Sequence, residues 1–554
     1  MGAVNIPIRD VWAALTGGNC SRATEKIVLN IRLIKAIVAL LAGAALSVSG
    51  LQMQTLFRNP LAGPYVLGIS SGASLGVALV VLAGIGSSIG IAGAAWVGAA
   101  VVLLVITAVG QRIKDIMVIL ILGMMFSSGV GAVVQILQYL SKEESLKAFV
   151  IWTMGALGDV TSGQLLILVP SVFAGLLLAV LTIKPLNLLL FGEEYAVTMG
   201  LNIRRSRSLL FLSTTLLAGT ITAFCGPIGF IGLAMPHVTR ILFQNSDHHV
   251  LLPGTILSDH RYCFFATSFL KYSPCRSTPL QLYWESQSSY GWFYATNPSP
   301  HDRITAFFTI GYKENSLLHE VNATIKNGQL TALIGRNGTG KSTLLRAIAG
   351  LNRCYSGKNH SRRARHRLHG KPKIWLKTLA VVTTERTRIA NLRCKDVVAI
   401  GRAPYTNWIG RMQETDKEIV MQSLISVGME AYANRTMDKM SDGECQRVMI
   451  ARALAQDTPI ILLDEPTSFL DMPNRYELVA LLRRLVHDEK KCIMFSTHEL
   501  DIALSMCDSI ALLDTPNLSC LTASEMQKSG YIDRLFQNEN IRFDSLCGTM
   551  ILKQ

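Results

Sequence analysis

The sequence predicts two architectures in tandem, a polytopic α-helical membrane domain followed by an α/β domain. Half of the 554 residues are hydrophobic and only 16% are charged, which is apolar for a soluble chain, and long apolar runs between residues 27 and 245 hold most of the excess. The second observation is Gly335-Arg-Asn-Gly-Thr-Gly-Lys-Ser342, between the strand-like Leu330-Thr-Ala-Leu-Ile334 and the helix-like Leu344-Leu-Arg-Ala-Ile-Ala349. A glycine turn in that context lets backbone N–H groups converge on phosphate oxygens, while a terminal Lys-Ser supplies a point charge and a hydroxyl for Mg²⁺. The third is Ile460-Ile-Leu-Leu-Asp-Glu-Pro466, an apolar strand ending in two carboxylates. Together the last two make the α/β part a P-loop NTPase domain.

In chain order, windows long enough to cross a hydrocarbon core of roughly 30 Å fall at about 34–56, 65–86, 90–110, 116–139, 164–184, 207–225 and 227–245. Small residues, as in Leu41-Ala-Gly-Ala-Ala-Leu-Ser47 and Gly90-Ile-Ala-Gly-Ala-Ala95, suit close helix packing in lipid. Arg58, Arg112 with Lys114, Lys184 with Arg204, Arg205 and Arg207, and His237 with Arg240 fall on one side, which the positive-inside bias makes the cytoplasm. Residues 1–26 then face outward, and the chain emerges inside after about 245. This odd parity implies that a first span is absent from the sequence. The first residues also lack the basic region and apolar core of a signal peptide.

The stretch 259–303 contains no spanning window and no helical or strand periodicity. A second irregular stretch, 358–373, reads KNHSRRARHRLHGKPK without an acidic residue. Both are what an out-of-frame join of two adjacent reading frames would leave, since matching sequence resumes abruptly at Ile304 and Leu376. The adjacent His248 and His249 read as solvated loop residues.

A net charge of +15 suits cytoplasmic loops of a membrane protein as well as nucleic acid, and the sequence predicts no nucleic-acid partner. The eleven cysteines include no C-x-x-C pair, so neither a zinc site nor a disulfide framework is indicated.

Three segments of the membrane half carry a resemblance. They are Leu51-Gln-Met-Gln-Thr-Leu-Phe-Arg-Asn-Pro-Leu-Ala-Gly-Pro64, Leu67-Gly-Ile-Ser-Ser-Gly-Ala73 and Cys225-Gly-Pro-Ile-Gly-Phe-Ile-Gly-Leu-Ala-Met-Pro-His-Val-Thr-Arg240. Residues 1–258 thereby resemble the permeases that import ferric siderophores, haem and cobalamin, spans two to eight of the family's usual ten. The resemblance implies a lipid-bilayer location and docking of a periplasmic substrate-binding protein near Arg32 and Lys35. It also implies that Leu190-Phe-Gly-Glu-Glu-Tyr-Ala-Val-Thr-Met-Gly-Leu-Asn202 touches an ATPase, with Glu193 and Glu194 offered to basic residues.

From about 304 to 554 the ordered motifs resemble the nucleotide-binding domain of ABC transporters. The resemblance implies that ATP is bound by Tyr312 against adenine, by Gly335, Asn337, Gly338, Gly340, Lys341, Ser342 and Thr343 around the phosphates, and by Ser441, Gly443 and Asp471 reaching in from an opposite subunit. Ser342 and Asp464 hold Mg²⁺, Glu465 polarises the attacking water and His498 senses the terminal phosphate. Met440-Ser-Asp-Gly-Glu-Cys-Gln-Arg447 departs from the family signature at Met440 for leucine, Asp442 for glycine and Glu444 for glutamine. Where the family has a coupling glutamine, this chain has Val381-Val-Thr-Thr-Glu-Arg386, leaving Thr384 or Glu385 to substitute.

The function these features imply is ATP-driven import of an iron chelate across the bacterial inner membrane, by a homodimer of the fused chain with its ATPase in the cytoplasm. Haem or cobalamin import, a nonfunctional fusion or truncation product that retains at most ATP hydrolysis, and a soluble ATPase acting on nucleic acid are the alternatives.

Overall fold

The computed structural model describes residues 6–18, 20–82, 90–113, 115–158, 160–269, 303–312, 315–326, 328–351, 376–384, 388–468, 470–515, 517–536, 541–544 and 549–552. It divides into two compact units: Met1–Leu190 with Asn202–Trp284, and Phe191–Leu201 with Glu285–Gln554.

The first unit is helical. Its elements are α1 (Ile8–Thr16), α2 (Arg22–Ile27), α3 (Ile34–Leu56), α4 (Ile69–Val81), α5 (Gly90–Arg112), α6 (Ile116–Leu140), α7 (Glu143–Thr153), α8 (Ser162–Leu181), α9 (Ile183–Leu189), α11 (Ile203–Thr214), α12 (Thr220–Cys225), α13 (Ile231–Phe243) and α14 (His248–Phe269). The short α10 (Glu193–Thr198) falls in the second unit. Two π-helical turns, Val28–Leu33 and Thr215–Gly219, join α2 to α3 and α11 to α12 without a break.

Among the described residues, five continuous helices are long and apolar enough to cross a membrane: Arg22–Leu56, Gly90–Gly110, Ile116–Leu140, Ser162–Leu181 and Ile203–Cys225. The other two windows form shorter apolar helices, α4 and α13. Each begins late because the backbone before it is left-handed, at Gly68 (φ 78°) and Phe230 (φ 71°), and helix cannot propagate through such a residue.

The central helix is α3, buried continuously from Leu41 to Leu56 and packed by α8, α11, α13 and α14. A side chain at Gly50 would strike the Gly232 carbonyl of α13, and one at Gly72 of α4 would meet Gly98 of α5. Close backbone approach of this kind replaces the hydrophobic drive that lipid removes.

Polar groups on α3 tie the bundle together. Gln52 donates to Thr182 Oγ1 at 3.1 Å and Ser213 Oγ at 3.0 Å and accepts from Thr214 Oγ1 at 3.0 Å. Gln54 Oε1 accepts from Arg240 Nη1 at 2.9 Å.

Two expectations are corrected here. The sequence reading ends helical order near 258, yet α14 continues to Phe269. Beyond Gly254 that segment holds no proline or glycine, so nothing interrupts propagation. His248 is not solvated: it is fully buried, with Nδ1 2.7 Å from Asn187 Oδ1 and Nε2 2.9 Å from Thr55 Oγ1. The remainder of the first irregular stretch, 270–302, and all of the second lie outside the described residues.

In the second unit the strands are β1 (Arg303–Tyr312), β2 (Asn315–Lys326), β3 (Leu330–Gly335), β4 (Leu379–Val382), β5 (Ile460–Leu463), β6 (Cys492–Ser496), β7 (Ser509–Asp514), β8 (Asn517–Thr522), β9 (Ile541–Asp544) and β10 (Thr549–Leu552). A six-stranded sheet runs β4-β5-β6-β3-β7-β8, with β7 and β8 antiparallel and the other neighbours parallel. Strands β3, β4 and β6 are buried along their whole length, as parallel strands covered on both faces must be. Leu333, Leu344, Leu345, Leu379, Leu462, Met494 and Leu513 form their core, each contributing about 1.5–3 kcal/mol on burial. That core fixes the carboxyl ends of β3, β4, β5 and β6, where an open parallel sheet presents its ligand crevice.

Candidate functional site

The phosphate loop follows β3 and ends in the helix Lys341–Ile348. Gly338 (φ 81°) and Gly340 (φ 97°) take left-handed backbone that lets the loop turn back on itself, while Asn337 lies exposed at its tip. Lys341 is buried, and its Nζ donates to Gly335 O at 2.9 Å and Arg336 O at 3.3 Å. Burial pushes its pKa below the ordinary lysine range, opposed by Glu465 and Asp464. The loop's own carbonyls hold the ammonium.

Strand β5 delivers Asp464 and Glu465. Asp464 is buried and receives three hydroxyls: Ser342 Oγ at 3.0 Å and Ser496 Oγ at 2.8 Å on Oδ1, and Thr384 Oγ1 at 3.4 Å on Oδ2. Glu465 stands in left-handed backbone (φ 46°), its N–H donating to Ser496 Oγ at 2.8 Å and its carbonyl accepting from Ser468 Oγ at 2.7 Å. His498 follows β6, with Nε2 2.9 Å from Glu465 Oε1 and Nδ1 3.4 Å from Lys341 Nζ. An ammonium only donates, so Nδ1 accepts and Nε2 carries the proton given to Glu465. The structure thus brings Lys341, Ser342, Asp464, Glu465 and His498 into one hydrogen-bonded group.

The remaining expected residues stand elsewhere on the unit. Ser441 caps the helix Asp442–Ala455 in a reciprocal box with Glu444, at 3.3 Å and 2.8 Å. The Ser441 N–H holds the Glu444 carboxyl below its usual range. Gly443 lies beside Leu470 and Asn474, and Asp471 accepts from Asn474 Nδ2. Tyr312 closes β1 opposite Asn315, and its side chain, like the whole of Glu385, lies outside the described residues. Thr343 follows Ser342 on the first turn.

Helix α10 is seated on this unit. Glu194 Oε2 meets Arg346 Nη2 at 2.6 Å. Tyr195 OH accepts from the Thr383 N–H at 2.9 Å, and the Arg452 guanidinium lies 4.8 Å from the Tyr195 ring centroid, within cation–π range. Arg452, almost wholly buried, also donates to the Val381 carbonyl. Sequence reasoning singled out Glu193 and Glu194 but missed Tyr195, Arg452 and Ser496. No local pattern marks them, because their partners are brought to them by the fold.

Two protein families match the chain. The model of the FecCD transport family matches residues 1–266 and that of the ABC transporter family matches 318–468. An uncharacterized ABC transporter ATP-binding protein of Methanocaldococcus jannaschii is 38% identical over 251 residues, covering 45% of this chain and 86% of its own length. The hemin transport system permease protein of Yersinia pestis is 37% identical over 267 residues, covering 46% of this chain and 77% of its own.

The chain belongs to the ABC transporter family.

Its first part is a FecCD-type permease domain and its second an ABC ATPase domain, an ATP-binding, ATP-hydrolysing cassette joined to a polytopic membrane protein. An iron(3+)-hydroxamate import ATP-binding protein of Bacillus subtilis is 33% identical over 230 residues, covering 41% of this chain and 85% of its own.

Proposed function

We propose that this ABC transporter is an importer that carries an iron chelate across the bacterial inner membrane, its permease within about residues 1–258 and its ATPase from about 304. The carrying observation is the group Lys341, Ser342, Asp464, Glu465 and His498 at the carboxyl ends of parallel strands, on the same chain as a FecCD-type permease. The names of the related hemin permease and iron(3+)-hydroxamate import ATPase favour an iron chelate as cargo.

In this reading the terminal phosphates of ATP replace the Gly335 and Arg336 carbonyls as partners of Lys341, and Tyr312 lies against adenine. Gly335, Asn337, Gly338, Gly340 and Thr343 complete the cradle. Ser342 Oγ and the Asp464 carboxylate are oxygen donors of the hardness Mg²⁺ prefers, 3.0 Å apart, with the Thr384 hydroxyl beside them in the place of the coupling glutamine. Bound there, Mg²⁺ would neutralise charge on the phosphates. Glu465 accepts the proton of the attacking water, and His498 keeps that carboxylate aimed.

Ser441, Gly443 and Asp471 complete the site of a second copy, so the working unit is a homodimer. The substrate-binding protein docks outside near Arg32 and Lys35. Helix α10 carries the motion of the ATPase to the permease.

The test is uptake of labelled ferric siderophore, haem and cobalamin by proteoliposomes containing the full chain, supplied with binding protein and ATP. Ferric-siderophore uptake that Glu465→Gln abolishes is expected. Uptake insensitive to that change removes the importer reading, and preference for haem or cobalamin replaces the cargo.

A further inference from the structure

The first turn of the helix Asp442–Ala455 carries two acids, Asp442 and Glu444. A helix N-terminus welcomes carboxylates. This turn, however, is the one read above as receiving the terminal phosphate of ATP held by a second copy, and negative charge there opposes an anion.

Each acid has an arginine brought from a different part of the unit. Arg388 Nη2 donates to Asp442 Oδ1 at 2.6 Å, and Arg435 Nη1 lies 3.9 Å from Glu444 Oε1. Glu444 is further turned back on the Ser441 N–H by the capping box. Asp442 has the more open position, and Arg388 reaches it from the segment following β4, the strand that also brings Thr384 to Asp464. Nothing in the spacing of the sequence links the two residues, which are 54 positions apart.

We propose that Arg388 is a positioning residue of the composite ATP site: it cancels the charge of Asp442 and draws that carboxylate off the approach of the partner-bound phosphate, leaving Ser441 and the turn's N–H groups to receive it. The chain thereby tolerates an acid in its signature motif because an arginine from elsewhere in the unit answers it. This rests on the composite-site reading given above.

The experiment is ATP hydrolysis by the purified full chain in lipid, with KM and kcat measured at low and high ionic strength. The proteins are wild type, Arg388→Ala, Arg388→Lys, Asp442→Gly and the double variant Arg388→Ala with Asp442→Gly. At low salt Arg388→Ala is expected to raise KM about three- to fivefold, the scale of one exposed ion pair, with kcat little changed. The defect shrinks at high salt, where exposed charges are screened, and Arg388→Lys recovers most of it. Asp442→Gly alone lowers KM, and the double variant returns to the wild-type value.

A double variant as weak as Arg388→Ala overturns the proposal, since Arg388 would then act on something other than Asp442. So does an Arg388→Ala KM equal to wild type at low salt. Misfolding caused by losing Arg388 would not be repaired by removing an acid, so the rescue separates the two. Failure of the composite-site reading shows differently, as a mixed dimer of Lys341→Ala and Ser441→Arg chains that stays as inactive as either parent.

Discussion

Glu465 is the residue where conformation and chemistry meet. A non-glycine side chain at φ 46° costs about 1–3 kcal/mol, so the surroundings must hold it there. Ser496 does so from β6: its Oγ accepts the Glu465 N–H at 2.8 Å while donating to Asp464 Oδ1 at 2.8 Å. One buried hydroxyl therefore ties the Asp464 carboxylate to the Glu465 backbone. Ser496→Ala leaves the Glu465 N–H without this acceptor and takes one of its three hydroxyl donors from Asp464, a loss of about 1 kcal/mol or more. We expect about a tenfold fall in kcat with KM for ATP nearly unchanged, read by steady-state hydrolysis of the purified chain. Glu465→Gln should fall by at least about a hundredfold, the range of a lost general base, while still binding ATP. Equal, small effects of the two variants would mean that Glu465 is not the base.

At the scale of elements, the short helix α10 is held by more than charge. The Glu194–Arg346 pair is about 40% exposed on each side, and such pairs contribute about 0–1 kcal/mol. Tyr195 is buried, carries the Arg452 guanidinium on its ring and accepts the Thr383 N–H next to Thr384. Tyr195→Ala is therefore expected to leave ATP hydrolysis in place while lowering uptake per ATP, by about tenfold on the scale of a misplaced contact. Tyr195→Phe, which keeps the ring, should be intermediate, and Glu194→Gln should change little. The ratio of uptake to hydrolysis in proteoliposomes decides it, and a fall in both by the same factor removes α10 from the transmission step.

Contacts of this sort show why some of the site was legible in the sequence and some was not. Gly335 to Ser342 and Asp464-Glu465 are local, with chemistry that demands fixed residue types at fixed spacing, and they lie at the carboxyl ends of β3 and β5. Ser496, Tyr195 and Arg452 matter through partners brought by sheet order and helix packing. His248 misled because two adjacent histidines look like a loop until Thr55 and Asn187 enclose one of them. Helix α14 was cut short because its last turns lack the apolar periodicity used to recognise helices, although no residue there breaks one.

For the whole molecule, the decisive element of the proposed function is that one chain would hold two half-sites. The Lys341 half ends β3, and the Ser441 half caps a separate helix whose capping bonds stay local. In a two-fold dimer each half completes the other copy's site, because the same patch is used on both subunits. A chain with Lys341→Ala lacks phosphate binding but keeps its signature turn. A chain with Ser441→Arg loses the signature turn but keeps its phosphate loop. In a mixed dimer both defects fall on one of the two sites and leave the other intact. Random mixing makes about half of the dimers mixed, so two inactive proteins should recover about a quarter of the wild-type hydrolysis. Co-expression with two different tags and sequential purification isolates the mixed dimer, whose activity should be about half of wild type by the same counting. If each site were complete within one chain, the mixed dimer would hold two separately damaged sites and would remain as inactive as either parent.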